Sequence, residues 1–342
     1  MTNPAVPAAL REMIMKDVQG AVRLAIAYVG LSAGLLSAAA HLKHGSCADI
    51  AKASGQDPGY VVRWCDAAYA FELLEEGPQG FALTELGLAF LPDSPGTLMP
   101  FAVQEVLSTH IAERVVGLMA TGERPGESIL AERASILPWF GPMLEAQFGP
   151  LFEKTVMPGL KVYEEAARHG GLVVDLGCGN GWYLLRLART FPRLRCLGVD
   201  GFEENIRQAQ ARATAEGLSD RVHFTTGDIY RFESEEAADI IALNRALHHV
   251  WDKKDVVFGI LRDHLKPGGS AVIWEPHWPL ERVALREPAR RMVAFQNLVE
   301  HVQGNHFLRP TEIAEAFKAV GLVPEIYSFV DGREAVVVGK RP

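Results

Sequence analysis

The stretch "VVDLGCGNGW", Val173–Trp182, decides how the chain folds. A β-branched run ends in Asp175, and glycines follow at 177, 179 and 181. The helical pattern "WYLLRLARTF" (182–191) begins at once. Glycine at such positions lets the backbone turn tightly and approach a ligand with no Cβ in the way. A dinucleotide site spaces its glycines G-x-G-x-x-G, so that a helix N-terminus meets a pyrophosphate. The spacing here is G-x-G-x-G behind an acid. Asp175 therefore suits a ligand with a cationic amino group better than a diphosphate.

Outward from this loop, short apolar runs alternate with amphipathic helical patterns, the signature of a parallel α/β sheet. After the first strand, "LVVD" (172–175), come "LRCLGVD" (194–200), "RVHFTTGD" (221–228), "ADIIALN" (238–244) and "SAVIWEP" (270–276). The run "DVVFGILRDHL" (255–265) is a helix stopped by "KPGG" (266–269). A long helical stretch and a short helix from Thr311 lead to "VPEIYSFV" and "EAVVVGK". Asp331-Gly332 joins these two runs as an antiparallel hairpin. The expected fold is an α/β, Rossmann-like, mostly parallel seven-stranded sheet with a reversed last strand. Asp200 ends the second strand, placed to accept hydrogen bonds from two ribose hydroxyls. Asp228 ends the third, placed to accept from an adenine amino group while Ile229 packs on the ring. Three acids on consecutive strand ends describe one crevice at the carboxyl edge of the sheet.

At 342 residues the chain exceeds the usual size of one core. With 48% hydrophobic and 22% charged residues it is an ordinary globular sequence. A formal charge of −8 gives no electrostatic reason to bind nucleic acid or an anionic membrane. Cys47, Cys65, Cys178 and Cys196 lack zinc or redox spacing and suit a reducing compartment. The N-terminus has no signal-peptide pattern, and no apolar run is long enough to span a bilayer, so a cytoplasmic enzyme is expected.

Upstream, "SCADIAKASGQDPGYVVRWCDAAYAFELLEE" reads as two short helices, and "GPQGFALTELGLAFL" as a small β-wing followed by a helix. Together they form a helix-turn-helix with a wing. The preceding "AVRLAIAYVGLSAGLLSAAA" (21–40) is too apolar for a free surface helix and points to core or to an oligomer interface. A DNA-binding regulator is the rival reading of this part. However, the second helix offers Arg63 among acids, and phosphate contacts require basic clusters.

The chemistry centres on "LNRALHHVWDKKD" (243–255), with adjacent His248 and His249 at the end of the fourth strand. An imidazole with a pKa near 6.5 is matched to removing a hydroxyl proton at neutral pH. Glu275 and His277 close the fifth strand at the same edge. Downstream, "FQNLVEHVQGNHFLRPTE" (295–312) supplies Glu300, His301 and His306.

With these motifs in hand, residues 171–276 resemble a class I S-adenosylmethionine (SAM)-dependent methyltransferase. Most of the chain resembles the small-molecule O-methyltransferase family, although residues 95–150 match only in helical character. The resemblance implies SAM as cofactor, no metal, a small-molecule acceptor, and a homodimer built through the N-terminal domain. It implies domains over 1–100 (winged-helix-like, dimerising), 101–165 (helical connector lining the acceptor pocket) and 166–342 (SAM-binding). "RALHHVWDKK" is similar to the family's R/K-x-x-L-H-D-W-x-D-E segment. Aligning Arg245 and Trp251 places His249 on the catalytic histidine, His248 beside it in support, and Arg245 on a SAM-contacting position. Val250 and Lys253-Lys254 depart from the pattern. The implied cofactor contacts are Asp175, Gly177, Gly179, Asp200, Phe202, Asp228, Ile229, Asn244 and Arg245, and the implied acceptor contacts are Glu300 and His301. A branch of the family C-methylates α-keto acids with a bound metal held by this histidine segment and a histidine near residue 301. That branch supplies the alternative reading.

Overall fold

A computed structural model describes residues 6–126, 129, 132 and 135–342. The chain divides into two compact units, Met1–Val116 with Leu130–Ala146 and Gly117–Ile129 with Gln147–Pro342. The expected 101–165 connector is thus shared between them.

In the first unit, helices span Ala8–Ser32, Leu35–Leu42, Cys47–Ser54, Pro58–Ala70, Glu85–Ala89 and, running past its boundary, Met99–Thr121. Ser46 and Asp49 form a capping box on the third helix, and Asp57 caps the fourth with Pro58 in its first turn. Strands β1 (Leu74–Gly77) and β2 (Gly80–Leu83) pair antiparallel, and Gly45 bridges to Phe81. The chain is expected to carry helix through "LLEE". Instead it turns at Glu72, with φ 63°, and spends Leu74–Gly77 on β1. The buried Leu73 and Leu74 gain their cover through this hairpin. Among the described residues no single helix is long and apolar enough to cross a membrane. The first two helices reach that composition only together, bent by 74°.

The second unit is a seven-stranded sheet in the order β5-β4-β3-β6-β7-β9-β8. Its strands are β3 Leu172–Leu176, β4 Arg195–Asp200, β5 Val222–Thr226, β6 Ala238–Asn244, β7 Leu265–Pro276, β8 Val323–Phe329 and β9 Glu334–Lys340. Pairing is parallel from β5 through β7, while β9 runs antiparallel to both β7 and β8. β3 is buried along its whole length, as expected for a parallel strand covered on both faces. Val174, Leu176, Ile241 and Leu243 pack with Phe258 and Leu261 of the helix Lys254–His264, and with Ile313 and Phe317 of the helix Pro310–Ala319. One boundary moves relative to the sequence reading. The helix stops at His264, and Lys266–Gly269 belongs to the long β7, with a register irregularity between Ala238 and Ile240.

Candidate active site at the carboxyl edge of the sheet

Strand order reverses on either side of β3, which places a crevice at the ends of β3, β4 and β6. The glycine loop opens there. Gly177, Gly179 and Gly181 all have positive φ, at 81°, 53° and 77°. A Cβ on Gly181 would lie 2.5 Å from the Phe224 ring, so this glycine is required by close packing. A Cβ on Gly179 would meet nothing within 4 Å, so its backbone is exposed to the crevice. Asp200, buried at the end of β4, ties this loop down. Its carboxylate accepts from the Gly179 N–H (2.9 Å), the Phe202 N–H (2.9 Å) and the Asn205 amide (3.1 Å). Phe202 is 59% exposed, a large apolar ring beside the loop. Ile229 reaches within 3.8 Å of the position a Cβ on Gly177 would take. Asp228 is exposed and caps the short turn Ile229–Arg231 through the Tyr230 N–H at 2.9 Å.

Asp175 is only 1% exposed and accepts from the Asn244 side-chain amide at 2.9 Å. Burial lifts its pKa to about 8. The Asn244 hydrogen bond opposes the rise and the charge of Asp200 adds to it. The other polar atom of Asn244, Oδ1, is buried with no partner in the protein. A buried carboxyl and an orphaned amide oxygen, side by side, form a recess that lacks a donor and a positive charge. An ammonium group supplies both. The recess, the open backbone at Gly179 and the carboxylate of Asp200 fit the amino-acid and ribose parts of a SAM-type ligand.

Four residues beyond Asn244, the histidines adopt unequal roles. His248 is buried, and its Nδ1 lies 2.7 Å from Glu275 Oε2. Glu275 Oε1 accepts from the backbone N–H groups of Leu247 (2.9 Å) and His248 (3.3 Å). On the other side, Nε2 of His248 stands 3.7 Å from Glu300 Oε2. Burial alone would lower the pKa of His248, but the charge and hydrogen bond of Glu275, followed by Glu300, raise it overall. His249 differs. Burial, with His248 beside it, pushes its pKa down to about 3, and its Nδ1 accepts from the Asn305 amide at 2.8 Å. The proton of the neutral ring then sits on Nε2. A general base needs a pKa near the working pH, and in this respect the two rings differ, His248 being raised and His249 lowered.

Two further expectations change. Arg245 does not face the cofactor crevice with a free guanidinium. Its Nη1 donates to Glu334 Oε2 at 2.7 Å and its Cζ lies 3.7 Å above the Phe148 ring. His301 is exposed on the helix Pro288–Val302, while its neighbour Glu300 turns toward His248. Helical geometry sends adjacent side chains to different faces. His277 lies beyond β7, with buried Nδ1 and a pKa lowered chiefly by burial. His306 is exposed. Asn305, Glu334 and Phe148 escaped the sequence reading, since none sits in a recognisable pattern.

Residues 173–269 match the methyltransferase domain family. Trans-aconitate 2-methyltransferase of Mycobacterium tuberculosis is 29% identical over 151 residues, covering 42% of this chain and 52% of that protein. The chain spans about a third of the length of the curated relatives it matches first. Among solved structures, an O-methyltransferase family protein from Burkholderia thailandensis superposes with a TM-score of 0.73 at 21% identity, over 98% of this chain and 99% of that one. An O-methyltransferase from neocarzinostatin biosynthesis, bound to S-adenosyl-L-homocysteine and 1,4-dihydroxy-2-naphthoic acid, gives 0.66 at 19% identity over 99% and 100%. Residues 173–269 thus match a methyltransferase domain model, and the chain shares the fold of these O-methyltransferase structures along nearly its whole length.

Proposed function

We propose that this protein transfers a methyl group from SAM to a hydroxyl of a small organic acceptor, of the kind handled in secondary metabolism, with His248 as general base. The observation that carries the reading is His248 fixed between Glu275 and Glu300, a few residues from an acid-lined crevice beside a glycine loop. When bound, the cofactor supplies an electrophilic methyl group on a sulfonium. Asp175 and Asn244 Oδ1 would hold its ammonium, the backbone at Gly177 and Gly179 its amino-acid chain, and Asp200 its ribose. Phe202, Asp228 and Ile229 would hold its adenine. Glu275 holds the Nδ1 proton of His248 and leaves Nε2 to take the acceptor's proton, the division of labour of a base oriented by a carboxylate. Glu300 lies beside Nε2, where it can orient an acceptor hydroxyl. His249 and Asn305 support the wall of the site.

The N-terminal helices and hairpin are read as a winged-helix-like unit for assembly. The supporting observation is an exposed apolar stripe on Ala8–Ser32, at Leu10, Ile14, Val18 and Val22, which a second copy of this chain would cover. A cytoplasmic location, with neither nucleic acid nor membrane as partner, accompanies this reading.

The test is to incubate the purified protein with SAM and a panel of phenols that includes 1,4-dihydroxy-2-naphthoic acid. Mass spectrometry follows S-adenosylhomocysteine and methylated product, and calorimetry follows cofactor binding. Absence of cofactor binding sinks the reading. Methylation of carbon or nitrogen in place of oxygen sinks the hydroxyl assignment.

One observation favours a second reading, metal-assisted transfer to an α-keto acid. His248, His249 and Glu300 offer ligand atoms within 4.8 Å of one another, a set of two imidazoles and a carboxylate suited to a divalent ion. Activity abolished by a chelator and restored by iron(II) would select it.

A further inference from the structure

We propose that Glu334, on the terminal antiparallel strand, is a positioning residue for the histidine site: by clamping Arg245 it holds the turn that presents His248 to its two carboxylates. This inference rests on the methyltransferase reading given above. Arg245 follows β6 directly and takes φ 55°, a left-handed conformation strained for any residue other than glycine. Strain of that kind persists only where the surroundings over-determine it. Here they do. The Arg245 N–H donates to the Trp274 carbonyl at 2.8 Å, its guanidinium stacks on Phe148, and Nη1 donates to Glu334 at 2.7 Å. Glu334 Oε2 also accepts from Trp274 Nε1 at 2.8 Å, so one carboxylate oxygen joins Arg245 to the strand that carries Glu275. Two residues past Arg245, the Leu247 N–H reaches Glu275, and His248 follows. The clamp and the site thus share β7 and one tight turn.

Stability alone is a poor explanation, because a buried ion pair of this sort gains little over an apolar pair of similar volume. The Arg245–Glu334 pair is largely buried, with side chains 16% and 13% exposed. The charged groups facing His248 are Glu275 from β7, Glu300 from the helix Pro288–Val302, and Arg245 from its own turn, with the neutral ring of His249 beside it. Arg245 opposes protonation of His248. Glu334 offsets part of that charge.

Opposite-signed variants test the clamp. The imidazole of His248 would be titrated by NMR in the full-length wild type, Glu334→Gln, Arg245→Met and Arg245→Lys, alongside turnover with SAM and 1,4-dihydroxy-2-naphthoic acid. Glu334→Gln should move the His248 titration to lower pH, and Arg245→Met to higher pH. Both should reduce turnover about 10- to 100-fold, because small misplacements at a reacting centre are costly, with S-adenosylhomocysteine affinity near that of the wild type by calorimetry. Arg245→Lys keeps the charge and so the titration. It should still lose turnover, since lysine lacks the planar fork that both stacks and pairs. Should Arg245→Met fail to fold, the Glu334→Gln and Arg245→Lys pair carries the test. Wild-type titration and turnover in these variants, with only the melting temperature lowered, would overturn the proposal. Opposite shifts in a protein that methylates no hydroxyl would uphold the clamp and reject the proposed reaction.

Discussion

His248 Nδ1 and Glu275 Oε2 lie 2.7 Å apart with both side chains nearly sealed from solvent, at 4% and 1% exposure. A buried imidazole beside a buried carboxylate is a proton-holding pair whose charge state depends on both partners. The pKa of His248 is raised in the fold, so its paired, protonated form adds stability that is fully present below about 6.5. That contribution is lost as pH rises through the higher folded value. In its proposed role as base, His248 would work on the other side of that value. Methyl transfer should therefore increase as pH rises through it. Glu275→Gln should shift this limb of the pH–rate profile to lower pH and, by breaking a buried pair, cost roughly 3–5 kcal/mol of stability. A profile unchanged in Glu275→Gln would remove His248 from the reaction.

His249 gives the contrasting case. With its pKa near 3 it stays neutral throughout the working range. His248→Gln should reduce turnover by about 10²–10⁴, the usual worth of a general base, and His249→Gln by less than about tenfold. Steady-state kinetics on the two variants decides the assignment, and the reverse ranking restores His249 as base.

Asp200 accepts three hydrogen bonds, from the loop after β3, the turn after β4 and Asn205 in the first turn of the helix Glu203–Ala215. Asp200→Ala leaves these donors unpaired and removes the acceptor proposed for a ribose. Cofactor affinity should weaken by about 1–3 kcal/mol by calorimetry. Wild-type affinity in that variant would mean the ribose binds elsewhere.

Asp175 should make cofactor binding release a proton. Burial raises it to about 8 in the fold from an ordinary 3.8, so it is protonated at neutral pH until a cation arrives. Its protonated form adds stability that is fully present below 3.8 and is lost as pH rises to about 8. Binding heats at pH 7 should depend on the ionisation enthalpy of the buffer in the wild type, and not in Asp175→Asn. Equal buffer dependence in both proteins would place the proton elsewhere.

Leu10, Ile14, Val18 and Val22 recur at four-residue spacing and are each between 41% and 54% exposed. If a second copy covers them, Ile14→Glu with Val18→Glu should yield monomers by light scattering at micromolar concentration. A monomeric wild type would dispose of the dimer.

The sequence by itself determined the sheet, the glycine loop and the acids at the strand ends. These depend on period-two and helical patterning and on glycines that must take positive φ, which are properties of consecutive residues. The reversed β9 was legible for the same reason, through the turn at Asp331-Gly332. Only the tertiary structure decided the surroundings of the two histidines. His248 and His249 are neighbours in sequence, and their difference comes from Glu275 and Glu300, 27 and 52 residues away, with Asn305 arriving from a later loop. Arg245 is the plainest example. The family resemblance implies a cofactor contact for it, and the register that sets Pro276 against Glu334 brings a carboxylate 89 residues distant to within 2.7 Å of its guanidinium. Long-range pairing of charge and burial is a property of the packed sheet, and no local pattern encodes it.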